Sequence, residues 1–222
     1  MFSYELFKKR QKYKKEKVGF IKNEIAFRLL NRVELLKCIP QSFLLHGFSQ
    51  QSEKLMKLRF PDSSINKDLQ NIDYIFSNCL MQSENSIFQY LSNCFCILNN
   101  PGFLSFTAFG PSTLNEVERA WIGIDQFKHV NVMIDIKDII SILSSLKFTN
   151  IVISSELLTF SYNNLSSLIK DIRDLNEPLS DINMKKFFTT REEWSRFAKK
   201  LSTDNLCATY EIIYGYCQKL SF

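Results

Sequence analysis

Ile72-Asp73-Tyr74-Ile75-Phe76-Ser77-Asn78 is an apolar run closed by small polar residues. A second run, Asn99-Asn100-Pro101-Gly102-Phe103-Leu104-Ser105-Phe106-Thr107-Ala108-Phe109, opens on a Pro-Gly turn. Between them, Ser83 to Leu98 carries apolar Ile87, Phe88, Leu91, Phe95 and Leu98 at i, i+1, i+4, i+8 and i+11, a helical stripe. The stretch reads as strand, crossover helix, strand, and a crossover of this kind makes the two strands parallel neighbours. Neither run alternates cleanly between apolar and polar residues, as expected of strands buried on both faces. An α/β fold with a helix-covered sheet follows.

Upstream, Val18 to Cys38 reads as an amphipathic helix with Phe20, Ile21, Ile25, Leu29, Val33 and Leu36 inward, stopped by Pro40. Ser42 to Gln51 holds a short strand and a turn, Ser52 to Phe60 a short helix, and Pro61-Asp62-Ser63-Ser64 a loop. Only 24 residues separate Gly47 from Ile72, fewer than the roughly 30 of one βαβ unit. The first half of the sheet is therefore expected to be short. Downstream, Ser112 is the expected N-cap of a helix from Thr113 to Phe127, with Asn115 and Glu116 just inside. Asp135 is expected to cap a helix from Ile136 to Leu146, with the stripe Ile139, Ile142, Leu143 and Leu146. Phe148 to Ser154 and Glu156 to Tyr162 read as two strands, followed by a helix from Leu165 to Leu175. Thr190 and Glu193 form a capping box for a helix reaching Leu201, and Cys207 to Cys217 is the last strand. These C-terminal strands lack long crossovers, which predicts antiparallel pairing in a sheet of five or six strands.

Composition narrows the class. The chain has 222 residues, 45% hydrophobic and 23% charged, as in one globular domain with a full core. Residues 1–17 hold seven basic side chains against Glu5 and Glu16, a surplus equal to the whole formal net charge of +5. The remainder is balanced and shows no helix-turn-helix, RRM or finger pattern, so nucleic acid is not an expected partner. Lys8 to Lys17 could meet an anionic surface, although a solvated helix start explains the run equally simply. The arm is Lys-rich and contains Glu, unlike a transit peptide, and no apolar run has the length of a spanning helix. Six scattered cysteines without Cys-x-x-Cys, and two histidines, argue for buried thiols and against a metal site. His129 reads as a structural loop residue, because no second histidine or activated nucleophile accompanies it.

Asp73, Ser77-Asn78, the helix and Leu98-Asn99-Asn100-Pro101-Gly102 together resemble the fourth strand, following helix and fifth strand of S-adenosylmethionine-dependent methyltransferases. Three further segments resemble one branch of that superfamily. Phe2-Ser3-Tyr4-Glu5-Leu6 with Lys8-Lys9-Arg10 resembles its opening. Phe109-Gly110-Pro111-Ser112-Thr113-Leu114-Asn115-Glu116 resembles the segment after its fifth strand, and Ala208-Thr209-Tyr210-Glu211-Ile212-Ile213-Tyr214 its last strand. The branch contains the malonyl-carrier-protein methyltransferase of biotin synthesis and respiratory complex I assembly factors, methyltransferase-like proteins linked to arginine hydroxylation. The basic opening and the Ala-Thr-Tyr ending favour the assembly-factor side. The resemblance spans nearly the whole chain except about 48–70. It implies one domain over residues 1–222, a truncated class I (Rossmann-like) methyltransferase fold. Residues 1–40 would be a basic N-terminal helical arm, 41–109 a shortened cofactor half, and 110–222 a C-terminal half with an antiparallel part of the sheet.

The same resemblance exposes departures. Family members carry an acidic residue in the first strand and a Gly-x-Gly-type turn after it. Aligned here, the acid's place is Leu45, Gly47 is the retained glycine, Ser49 and Gln51 stand at the others, and Phe48 brings a large ring. Relatives have His-Trp at Gln82-Ser83, so a candidate acid–base imidazole is missing. The resemblance makes Leu45, Gly47, Ser49, Ser77 and Asn78 a degenerate cofactor-binding set, and Gln82, Ser112, Asn115 and Tyr162 the substrate cleft. The last three also read as a cap, a helix-surface residue and a core aromatic. Asp62 and Asp68 follow no strand-like run and are weak ribose ligands. No catalytic residue is assigned. The expectation is a cofactor-impaired methyltransferase-fold protein, with no cofactor or weakly bound S-adenosylmethionine. It would resemble complex I assembly factors and act through a protein partner, as a homodimer or with a respiratory assembly partner. The alternative is an active S-adenosylmethionine-dependent methyltransferase, including one acting on malonyl carrier protein. A cytoplasmic protein, or one peripheral to a respiratory membrane, is expected.

Overall fold

The computed structural model describes residues 19–33, 40–65, 71–83, 86–181, 183–203 and 206–220. The basic arm, Leu36 and Asp68 lie outside the described residues. In chain order the elements are α1 (Phe20–Val33), β1 (Ser42–His46), α2 (Gln50–Arg59), β2 (Ser64–Ile65) and β3 (Ile72–Asn78). A 3₁₀ turn at Met81–Ser83 leads to α3 (Ile87–Ile97), β4 (Leu98–Phe109), α4 (Asn115–Trp121) and α5 (Ile136–Ser145). Then come β5 (Thr149–Ser161), α6 (Leu165–Asp174), α7 (Arg191–Thr203) and β6 (Cys207–Lys219).

The six strands form one sheet in the order β2-β1-β3-β4-β6-β5. The first three pairings are parallel, and β4–β6 and β6–β5 are antiparallel. The last strand therefore lies between β4 and β5. Lys219, at its end, donates through Nζ to the carbonyls of Phe95 and Leu98, filling acceptors that α3 leaves open at its C-terminus. Both faces of the sheet are covered, which explains the unbroken apolar runs. Phe43, Tyr74, Phe76, Phe109 and Ile212 pack with α1, α2, α4, α6 and α7. Their neighbours Leu44, Ile75, Ala108 and Ile213 point the other way, onto α3 and α5. Gly215 is small because the Phe106 ring occupies the space a Cβ would take.

The expected strand–helix–strand unit is present, with one refinement. The Pro-Gly segment is a bulge within β4, where pairing jumps from Ile72↔Leu98 to Tyr74↔Phe103. Asp73 fastens it. Its Oδ1 accepts from Asn99 Nδ2 at 2.7 Å, and its Oδ2 accepts from Ser42 N at 2.9 Å and Gln41 N at 3.2 Å. Burial alone would raise this carboxyl, but the hydrogen bonds from Asn99, Ser42 and Gln41 hold it below its ordinary value.

Other expectations are corrected. Phe20 is 61% exposed, edge-on to Phe160, because the buried stripe runs through Ile21, Ile25, Leu29 and Ala26, Leu30, Val33. Ser112 does not cap a helix; its N–H donates to Glu211 Oε2 at 2.8 Å. The helix starts at Asn115 after Leu114 at φ 60, because residues 110–114 are tied by backbone bonds to β6. It ends at Trp121 rather than at Phe127, since Gly123 at φ +74 turns the chain away. The two strands expected over 148–162 are one, Thr149–Ser161. The expected gap at Ser155 is strand, and the neighbouring Glu156 reaches α1, pairing with Arg28 at 2.5 Å and Arg32 at 2.8 Å. Asp135 caps α5 as expected, accepting from Lys137 N at 2.8 Å. The Thr190–Glu193 capping box is also present, with reciprocal bonds of 3.2 and 2.7 Å.

Candidate functional site

β1 and β3 run side by side until His46 pairs with Ser77, and their C-terminal ends open the crevice where a parallel sheet receives ligands. The turn after β1 is sharp. Gly47 has φ +73, and a Cβ there would stand 2.2 Å from the backbone oxygen of Asn78. Only glycine allows that approach. Asn78 is buried and its side chain is fully engaged: Nδ2 donates to the carbonyls of Lys22 at 3.0 Å and Gly47 at 3.4 Å, and Oδ1 accepts from Thr107 Oγ1 at 2.9 Å. It locks α1, the turn and the ends of β3 and β4 together.

Ser49 needs no glycine, because its φ is −83. Its Oγ caps α2 by accepting from Ser52 N at 3.1 Å and donates to Asn23 Oδ1 at 2.6 Å. Gln51 lies exposed in the first turn of α2. The backbone at these two places is thus ordinary, and the turn makes its single demand for glycine at Gly47. Leu45 and Phe48 are half-buried against the core. Ser77 is buried and its Oγ accepts from Tyr90 OH at 2.8 Å. With that proton committed, His46 Nδ1–H donates to Tyr90 Oη at 2.9 Å. Burial lowers the His46 pKa, so this imidazole is neutral at pH 7 and tied into the sheet.

Two cavities flank the turn. The first, about 680 Å³, is lined by Lys22, Asn23, Gly47 to Gln51, Glu53 and Asp174 to Asn176. The second, about 400 Å³, is lined by Gln82, Ser86 to Phe88, Asn131 to Ile134, Ile142 and Glu177. Lys22 Nζ and Glu177 Oε1 meet at 2.6 Å, with side chains 13% and 7% exposed, so this ion pair runs from one cavity to the other. Sequence reading missed it because the partners are 155 residues apart and neither sits in a motif. Each cavity wall also carries a buried oxygen with no partner: Asn176 Oδ1 in the first and Gln82 Oε1 in the second.

Gly47 and Ser49 therefore line the first cavity and Gln82 the second, whereas Leu45, Ser77 and Asn78 stand behind the walls. Ser112, Asn115 and Tyr162 line neither. Asn115 is exposed at the start of α4. Tyr162 is half-buried beside Tyr210 and Asp171, and burial pushes its phenol up to about 12. His129 is structural, stacked on Trp121 at 3.8 Å with Nε2 2.9 Å from Asp125 Oδ1. Among the described residues no three His, Cys, Asp or Glu side chains form a metal-binding group. No described helix is long and apolar enough to cross a membrane.

No family model matches this chain. It is 26% identical over 245 aligned residues to malonyl-[acyl-carrier protein] O-methyltransferase of Legionella pneumophila, covering 92% of this chain and 86% of that protein. It is 27% identical to malonyl-[acyl-carrier protein] O-methyltransferase 1 of Coxiella burnetii, covering 90% and 82%. Among solved structures it resembles Haemonchus contortus phosphoethanolamine N-methyltransferase 2 in complex with S-adenosylhomocysteine. The TM-score is 0.53 at 14% identity, over 99% of this chain and 61% of that one. The YcgJ protein of Bacillus subtilis gives a TM-score of 0.53 at 10% identity, over 88% and 99%. This chain thus has the Rossmann-like fold of the S-adenosylmethionine-dependent methyltransferases. Its sequence relatives include malonyl-[acyl-carrier protein] O-methyltransferases.

The residues present fit that cofactor at one end of the cleft. The Gly47 cradle, which a Cβ would fill, opens onto a cavity at the strand ends. The ribose end is less furnished. Leu45 offers no carboxylate, β2 has two residues and no acid, and Asp62 is exposed in the turn before it.

Proposed function

We propose that this protein is an S-adenosylmethionine-dependent O-methyltransferase that esterifies a free carboxylate on a carrier-protein thioester, of the malonyl class. The observation that carries the reading is the near end-to-end relationship to malonyl-[acyl-carrier protein] O-methyltransferases. It is joined here to a retained cofactor turn at Gly47 and a cavity at the ends of β1 and β3. S-adenosylmethionine supplies a methyl group on a good leaving group, so a carboxylate already ionised near neutral pH attacks without a base. The cleft accordingly needs to position and enclose rather than to move protons. His46, neutral and bonded to Tyr90, is not used for acid–base work.

A second reading is favoured by one observation, the poverty of the ribose end: Leu45 at the acid's place and a two-residue β2. On that reading the protein is cofactor-impaired and acts through protein contacts, as a homodimer or with a respiratory assembly partner. Calorimetry with S-adenosylmethionine and S-adenosylhomocysteine separates the two, followed by mass spectrometry of malonyl carrier protein incubated with enzyme and cofactor. Micromolar binding with a methyl gain of the carrier supports the first reading. Binding no tighter than millimolar, with no methyl gain, selects the second.

A further inference from the structure

The outer strand of a sheet has backbone groups with no neighbour, and monomers blunt such edges with short strands, lysine, proline or bulges. One edge of this sheet follows the rule, because β2 has two residues. The other does not. β5 runs over 13 residues and, among the described residues, pairs with β6 alone. From Ile151 to Ser161 it holds no lysine, arginine, proline or glycine. Its one charge, Glu156, is engaged by Arg28 and Arg32 of α1. Asn150, at φ 48, shifts the register at the start of the strand, but Val152 to Ser161 pair with β6 without a break. Val152 and Leu157 are each 62% exposed and, five residues apart, point to opposite faces.

We propose that β5 pairs antiparallel with β5 of a second copy of this chain, about a two-fold axis at Ser155. An axis normal to the sheet keeps each face of one copy continuous with the same face of the other. Opposed residues then lie equally far from the axis and on one face. About Ser155, Val152 meets Leu158 of the partner subunit, and Leu157 meets Ile153 of the partner subunit. Val152 and Leu158 share the α1 face through their neighbours Tyr216 and Tyr210, and Leu157 shares the opposite face with Ile153. Each exposed apolar side chain thus gains an apolar neighbour across the axis. Glu156 meets Ser154 of the partner subunit, so no like charges stand opposed. The neighbouring registers are worse. An axis at Ser154 sets Val152 against Glu156, and an axis at Glu156 sets two carboxylates face to face, which is destabilising. Strands β4 and β6 separate β5 from the crevice at β1 and β3, so the pairing does not depend on the proposed function.

The test is the mass of the full chain in solution, by light scattering and sedimentation equilibrium. The wild type is expected to show twice the mass of one chain and a melting temperature that rises with protein concentration. Val152→Lys/Leu157→Lys puts charges into the pairing, at positions already exposed in the single chain, so the fold is undisturbed. It is expected to weaken the dimer by about tenfold or more and to melt independently of concentration. Register is read separately. Opposed Cα atoms in an antiparallel pair lie about 4.5–5.5 Å apart, within reach of a disulfide. Ser155→Cys should therefore link to its own copy under mild oxidation, as read by peptide mass spectrometry. Thr159→Cys should not, because its twin would stand more than about 25 Å away along the strand. A dimer that survives both lysines, or that does not link through Ser155→Cys, overturns the pairing. So does a monomeric wild type, whether another segment of the chain or a foreign peptide covers the edge.

Discussion

Replacing Gly47 by alanine puts a methyl group where the Asn78 carbonyl oxygen stands. The added Cβ would lie 2.2 Å from that oxygen and 3.2 Å from its carbon, and both are backbone atoms at the end of a central strand. They cannot swing aside as a side chain could, so the ends of β1 and β3 must separate. Two costs add. Holding an L-residue at φ +73 costs about 1–2 kcal/mol, and the overpacking costs about 1–3 kcal/mol more. Together they give about 2–5 kcal/mol, which in a chain of this size lowers the melting temperature by about 4–20 °C. Gly123 isolates the second cost. Its φ is +74, yet its nearest neighbour is Lys200 Nζ at 3.9 Å, so Gly123→Ala carries only the backbone cost of about 1–2 kcal/mol. Thermal unfolding of both variants, followed by circular dichroism and calorimetry, measures the difference. If Gly47→Ala melts at the same temperature as Gly123→Ala, the close approach is wrong, and with it the description of the turn.

Three further outcomes are expected. Glu193 pairs with Lys185 Nζ at 2.6 Å and accepts from Thr190 N, and these contacts lower its pKa from 4.5 to about 2. A carboxyl depressed by folding contributes its stability above its unfolded value and loses it as pH falls through the folded one. Denaturant titrations should therefore show stability declining from about pH 4.5 toward 2, with a shallower slope in Glu193→Gln; an unchanged slope refutes the assignment. Glu156→Ala removes both arginine contacts between α1 and β5, but the groups are part-exposed, so urea unfolding should show a loss of no more than about 1 kcal/mol. Burial raises the Cys79 thiol to about 11, and Cys94 and Cys217 are also buried, whereas Cys96 is exposed. Iodoacetamide labelling of the native protein, read by peptide mass spectrometry, should modify Cys96 well before those three.

What could be read from the sequence was what local physics decides. The unit from Ile72 to Phe109 announced itself because strands buried on both faces are apolar throughout and the helix between them has a one-sided stripe. The caps at Asp135 and Thr190 were legible because a cap is satisfied within three residues. Ser112 looked like a cap by the same rule, but its N–H is claimed by Glu211, 99 residues away. Ser155, between two expected strands, looked like a break because the ties of the neighbouring Glu156 to α1 are invisible from β5. The site divides in the same way. Gly47 was found because turn chemistry is local, while the ion pair opposite it joins α1 to the loop after α6 and left no trace in spacing. The shortness of the cofactor half was a matter of counting residues, but the two-residue β2 was too brief to show any period.

The place of β6 bears on how the chain is made. Strands β4 and β5 are not neighbours in the sheet; each pairs with β6, which is synthesised after both. Until it emerges from the ribosome, the nascent chain holds a parallel fragment and a lone long strand, each with an unsatisfied edge that invites pairing with other chains. Lys219, which fills carbonyls at the end of α3, arrives as the end of that same strand. Pairings of long sequence separation thus close late, a sequence that slows folding and lengthens exposure to aggregation. A chain cut after α7 loses more than a terminal strand, because β5 then has no place in the sheet. Quality control that acts on unfinished chains would meet this protein as two separate pieces until β6 appears.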